Sequence, residues 1–86
     1  MEIIYSSKAA KFLKKLSKGD KKSVEMIINA IEEYALNPQG SFDIQFLKGE
    51  YSDLKRLRVG QYPIIFDTEE NILSILKIYH RQGAYP

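Results

Sequence analysis

The run from Tyr51 to Phe66, YSDLKRLRVGQYPIIF, constrains this chain more than any other. Arg56, Leu57, Arg58 and Val59 alternate charged and apolar. In a strand, that alternation puts both arginines on one face and both aliphatics on the other. Gly60-Gln61 offers a two-residue loop with glycine first, which suits a type II′ hairpin turn. The loop predicts that Val59 faces Tyr62 and that Arg58 faces Pro63. Residue 63 and Ile65 then share the arginine face. A proline there offers no amide to a neighbouring strand.

Strand signals continue downstream. Thr68-Glu69-Glu70-Asn71 reads as a second tight connection, and Ile72 to Tyr79 as a last strand, apolar enough to be interior. Carrying the register across that connection predicts Leu76 opposite position 63 and Ser74 opposite position 65. The arginine face would then also hold Ser74, Ile78 and His80. A slip of one residue would reverse every one of these assignments.

The N-terminal half has a different period. Glu2 to Tyr5 is a short strand candidate, and Ser6 or Ser7 can cap the helix that follows. Ala9, Phe12, Leu13 and Leu16 recur at helical spacing, with Lys8, Lys11, Lys14, Lys15 and Lys18 mostly off that stripe. Ser17-Lys18-Gly19 breaks this helix, with Gly19 able to take a positive φ. Asp20 caps a second helix whose buried stripe is Val24, Ile27, Ile28, Ile31 and Ala35. Asn37-Pro38 ends it, because a residue before proline avoids helical geometry. So short a connection predicts an antiparallel helix pair. Asp43 to Leu47 is a further short strand candidate. The order reads β-α-α-β-β-β, an α+β fold with a mixed sheet and both helices on one face.

Eighty-six residues make one domain, spanning 1–86. Apolar residues are 44% and charged residues 28%, a globular rather than disordered balance. With no cysteine, disulfides and thiolate metal sites are excluded. No apolar run approaches the roughly 20 residues of a membrane span, and the N-terminus lacks a secretory core, so a cytoplasmic protein without a membrane partner is expected. Net charge is only +2, yet seven of the thirteen basic residues are lysines between Lys8 and Lys22. That helix face could meet RNA phosphates or an acidic partner, or simply be solvated.

Arg56, Arg58, His80, Arg81 and Tyr85, with Lys48 and Lys55 near them in sequence, form the constellation with chemical potential. Guanidinium groups offer parallel donors to phosphate oxygens. A histidine or tyrosine beside them could move protons. Cleaving RNA by internal attack needs these parts: a base for the 2′-hydroxyl, charge to hold the pentavalent phosphate, and an acid for the leaving 5′-oxygen. The competing description is a solvated sheet face with scattered arginines. His80 is the only histidine, so no metal site is expected, and no cofactor motif is present. Tyr5, Tyr34, Tyr51 and Tyr62 are expected to pack.

In order and spacing, Lys48-Gly49, Arg56-Leu57-Arg58-Val59-Gly60, Tyr62, His80-Arg81 and Tyr85 resemble the RelE/ParE superfamily of bacterial toxins, over essentially the whole chain. The resemblance implies a RelE-like, microbial-ribonuclease type of fold and the toxin of a type II toxin–antitoxin pair. RelE-type members cut mRNA in the ribosomal A site without a metal, whereas ParE-type members poison DNA gyrase. On the RelE-type pattern, Arg56 would bind phosphate or help activate the 2′-hydroxyl, and Arg58 would hold the scissile phosphate. His80 would be the general acid, Arg81 a phosphate ligand, and Tyr85 a residue that stacks on or orients a base; Lys48 and Lys55 would assist substrate binding. The implied partners are a cognate antitoxin, the ribosome and mRNA, with operator DNA reached only through the antitoxin. This chain departs from the RelE-type pattern at Pro63, normally arginine, at Gln45, glutamate in some relatives, and at Leu54, basic in some. A gyrase inhibitor and a non-catalytic antitoxin-binding domain therefore stand as alternatives.

Overall fold

A computed structural model describes residues 1–47 and 54–82. Within them the chain forms β1 (Glu2–Tyr5), α1 (Ser7–Ser17), α2 (Lys21–Leu36), β2 (Ile44–Phe46), β3 (Lys55–Val59), β4 (Tyr62–Glu69) and β5 (Ile72–Ile78). The short strand expected near Asp43–Leu47 forms at Ile44–Phe46. It makes a fifth strand, so four strands follow the helices. The sheet order is β1-β5-β4-β3-β2, with β1 parallel to β5 and the other pairs antiparallel. β5 is an interior strand, as its apolar composition requires.

Local chemistry sets the helix ends. Ser6 caps α1, its hydroxyl oxygen accepting from the Ala9 amide at 3.0 Å. Asp20 caps α2, with Oδ1 accepting from the Ser23 amide at 3.1 Å and Oδ2 from the Ser23 hydroxyl at 2.6 Å. Those bonds hold the Asp20 carboxyl below its usual range, the hydroxyl contributing most. α2 stops at Leu36, with Asn37 as C-cap before Pro38. α1 ends at Ser17, as the Ser17-Lys18-Gly19 break predicts, but Gly19 does not use the positive φ open to it; among the described glycines Gly60 alone has one. Instead, the amides of Gly19 and Asp20 both donate to Leu16 O, at 3.1 and 2.8 Å.

Both helices cover one face of the sheet. Ala9 and Leu13 from α1, and Ile27, Ile31, Tyr34 and Ala35 from α2, meet Leu57, Val59, Tyr62, Ile64, Phe66, Leu73, Ile75 and Ile78 from the strands. Each large aliphatic chain buried here contributes roughly 1.5–3 kcal/mol. Tyr34 extends the expected stripe of α2, packing edge-on against Phe66 at 5.0 Å and Phe42 at 5.2 Å between ring centroids. No helix among the described residues is long and apolar enough to cross a membrane. The opposite sheet face is left uncovered by the helices, and the arginines lie there.

Candidate functional site

The β3–β4 hairpin follows its sequence pattern. Val59 pairs with Tyr62, Arg58 with Pro63 and Arg56 with Ile65. Gly60 has φ 57° while Gln61 stays negative, the signature of a type II′ turn. Leu57 and Val59 enter the core, which turns Arg56 and Arg58 to the uncovered face. β2 supplies their neighbours on the other side. Gln45 pairs with Arg56, and its side-chain oxygen accepts from Arg56 Nη2. Arg58 Nε lies 3.8 Å from Asp43 Oδ2, and both side chains are largely exposed. An exposed pair of this kind is worth about 0–1 kcal/mol, so it orients Arg58 without committing it, and an incoming phosphate can displace it.

β4 and the end of β5 complete the site. The Tyr79 amide donates to Pro63 O at 3.3 Å, and the Arg81 amide to Gln61 O at 2.7 Å. Pro63 has no amide to return to Tyr79, so this pair makes one bond rather than two, and β5 ends at Ile78. An interior proline is tolerated because it falls where the ladder is already closing. Arg56, Arg58, Pro63, Tyr79 and Arg81 together line a cleft of about 220 Å³. Three guanidinium groups at one concave surface offer donors of the geometry that suits phosphate oxygens.

His80 is not in it. The structure departs from the expected register in two steps. The second loop is two residues, Glu70-Asn71, rather than four, so Glu69 pairs with Ile72 and Asp67 with Ser74. A shift of two keeps every side chain on its expected face. A β-bulge then intervenes: Phe66 pairs with Ile75 but Ile65 pairs with Lys77, which leaves Leu76 as an extra residue. Past Leu76, parity is reversed. Ser74 is on the arginine face as expected. Ile78 is buried in the core, and His80 turns to the helix side. There its ring meets Tyr62 edge-on at 5.1 Å between centroids, and it lines a larger apolar cleft of about 630 Å³ with Phe12, Leu16 and Tyr62, a cleft that Tyr79 also borders. His80 Nδ1 accepts from the Gln82 amide at 3.1 Å, which puts the proton of the neutral ring on Nε2. The bulge brings Tyr79 to the arginines in its place.

The bulge is anchored from far along the chain. Ser6 donates its hydroxyl to Leu76 O at 2.7 Å and its amide to Ile75 O at 2.8 Å. One sequence signal could have revealed it. Ser74 and Lys77 are the polar residues of β5 and stand three apart, which a regular strand with one buried face does not allow.

Lys55 lies apart from the arginines. It is on the helix side, with Nζ 3.3 Å from Thr68 Oγ1 and 5.5 and 5.9 Å from the ring centroids of Phe46 and Phe66. Lys48 and Tyr85 lie outside the described residues, as does Tyr51. The lysines of α1 are exposed on the helical layer, away from the arginine cleft across the sheet.

No curated protein sequence matches the chain. Solved structures do. The chain superposes on the YoeB/ParE toxin from Agrobacterium tumefaciens with a TM-score of 0.80 at 14% identity, covering 93% of this chain and 98% of that one. It superposes on YoeB of the heterotetrameric YoeB–YefM toxin–antitoxin complex from Staphylococcus aureus with a TM-score of 0.78 at 21% identity, covering 93% and 97%. The RelB–RelE antitoxin–toxin complex from Methanococcus jannaschii matches with a TM-score of 0.65 at 26% identity, covering 95% and 94%. The sequence profile of the ParE toxin of type II toxin–antitoxin systems, parDE, matches residues 3–85. Its span is nearly the whole chain, and the arginine hairpin, the two-helix layer and the five-stranded sheet lie within it; the chain therefore belongs to the ParE toxin family, within the RelE/ParE superfamily of type II toxin–antitoxin toxins.

Proposed function

We propose that this toxin is a ribosome-dependent, metal-independent endoribonuclease that cuts mRNA in the A site and is held inactive by a cognate antitoxin. The convergence of Arg56, Arg58 and Arg81 in one cleft carries this reading. In the reaction, the bond from the 2′-oxygen to phosphorus forms as the bond from phosphorus to the 5′-oxygen breaks. The 2′-hydroxyl gives up a proton and the 5′-oxygen takes one. Arg58 and Arg81 hold the non-bridging oxygens, whose charge grows in the transition state. Arg56, tied to Gln45, holds an adjacent phosphate. Pro63 removes one donor from this set, a loss of about 3–4 kcal/mol of transition-state stabilisation by analogy with other oxyanion sites. The toxin is thus a slow ribonuclease as it stands. Tyr85 remains assigned to base contact, and Lys48 to substrate binding. The ribosome brings the mRNA, the antitoxin mediates any operator contact, and the setting is the cytoplasm. The YefM and RelB complexes of the similar structures support an antitoxin partner here.

A second reading is favoured by the ParE family match and by His80 facing away from the arginines: a gyrase inhibitor that binds without cutting a bond. A purely antitoxin-binding domain is the third. Inducible expression of the chain and of Pro63→Arg, with primer extension on an abundant mRNA, separates them. We expect weak, translation-dependent cuts within codons from the chain, stronger cuts from Pro63→Arg, and none from Arg58→Ala. Intact mRNA with a DNA-damage response in both of the first two would establish the gyrase reading instead. Intact mRNA and unimpaired growth with both would leave antitoxin binding alone.

A further inference from the structure

We infer that Tyr79 is a base-stacking residue, which makes the arginine cleft a site for single-stranded RNA rather than for a phosphate alone. The inference rests on the phosphate-binding reading of that cleft and adds the recognition of a base. The described aromatic side chains of the core elements, among them Tyr34, Tyr62 and Phe66, pack on the helix side of the sheet. Tyr79 instead follows the Leu76 bulge and lies opposite Pro63, on the arginine side; it is half-buried and stands between the two clefts, bordering the larger helix-side cleft as well as lining that of the arginines. Among the described residues it is the one aromatic side chain lining the cleft with Arg56, Arg58 and Arg81.

Its surroundings suit a nucleotide. Lys77 Nζ sits 5.2 Å from the Tyr79 ring centroid, a cation over the aromatic face. Lys77 near the end of β5, and Tyr79 and Arg81 just beyond it, alternate toward the arginine face, so cation, ring and cation follow one another in the chain. β1 pairs only with Ile72 to Ile75, so it does not reach the flank of Tyr79. A ribonucleotide whose phosphate is held by Arg58 and Arg81 can lay its base on this ring. Stacking of this kind tolerates any base, because every base has a π-face.

The test uses fluorescence anisotropy with the full chain and two labelled probes. One is a 2′-O-methyl hexanucleotide of mixed sequence, which cannot undergo internal attack. The other is an abasic oligomer of the same length and charge. We expect the wild type to prefer the base-bearing probe by about tenfold. Tyr79→Ala should erase that preference while keeping the affinity for the abasic probe. Tyr79→Phe, which keeps the ring, should keep the preference. Circular dichroism establishes that each variant is folded, and Tyr79→Leu replaces Tyr79→Ala if the smaller side chain unfolds the protein. Arg58→Ala should weaken both probes. A preference that survives loss of the ring, or a wild type with no preference whose binding still depends on Arg58, overturns the assignment of Tyr79 alone. Binding that ignores Arg58→Ala, or no binding to either probe, overturns the phosphate site and the assignment of Tyr79 with it.

Discussion

Replacing Ser6 with alanine should cost this protein more than a lost cap, because one hydroxyl makes two bonds. Its oxygen accepts from the Ala9 amide at 3.0 Å, closing the first turn of α1, and its proton goes to Leu76 O at 2.7 Å. Losing an N-cap serine costs about 1 kcal/mol. The bond to Leu76 is exposed, so water replaces it in part, and it contributes about 0.5 kcal/mol, the low end for a hydrogen bond. The sum, about 1.5 kcal/mol, should lower the melting temperature by roughly 6–12 °C for a domain of this size. Urea titration followed by circular dichroism should show the midpoint falling by roughly 0.5–1.5 M. Ser6→Thr keeps acceptor and donor and should lie close to the wild type. A loss for Ser6→Ala no larger than the roughly 1 kcal/mol of a cap alone, or an equal loss for Ser6→Thr, would refute the double role of this hydroxyl.

Two glycines should respond in opposite directions to alanine. Gly60, at φ 57°, would place a Cβ 3.2 Å from Met26 Cε, so Gly60→Ala should destabilise by about 1–2 kcal/mol, read by urea midpoint. A Cβ at Gly19 meets nothing within 4 Å, and φ there is not positive, so Gly19→Ala should stabilise by about 0.4–1 kcal/mol. Asp20 predicts an acid limb. Its folded carboxyl titrates below the unfolded one, so its contribution is complete above the ordinary carboxylate range and fades as pH falls through the folded value. Asp20→Asn still caps but does not titrate, so its urea midpoint should fall less than that of the wild type between neutral pH and about pH 3, the acid side of the usual aspartate value. Parallel curves would remove Asp20 from the acid response.

The arginine hairpin was legible because everything that sets it is local. Alternation in Arg56-Leu57-Arg58-Val59 assigns the faces, and Gly60 in a two-residue loop assigns the pairing. Hydrophobic spacing likewise gave the stripes of α1 and α2, and Asp20 the start of α2, while the start of α1 lay between Ser6 and Ser7 until the structure assigned the cap to Ser6. That Tyr34 packs was legible as well, but not against what, since Phe42 and Phe66 arrive from elsewhere in the chain.

What chain order alone determined, then, is which residues alternate, where helices start and stop, and that two arginines share a sheet face. Tertiary structure decided which residues join them. Whether His80 or Tyr79 faces the cleft depends on a single extra residue, Leu76, whose carbonyl is held by Ser6 across 70 positions of sequence. Strand parity is a running count along the chain, so one unpaired residue reverses everything after it. Local propensity does not carry that count, because the contact that stabilises the bulge forms only when β1 docks beside β5 and the sheet closes over its helices.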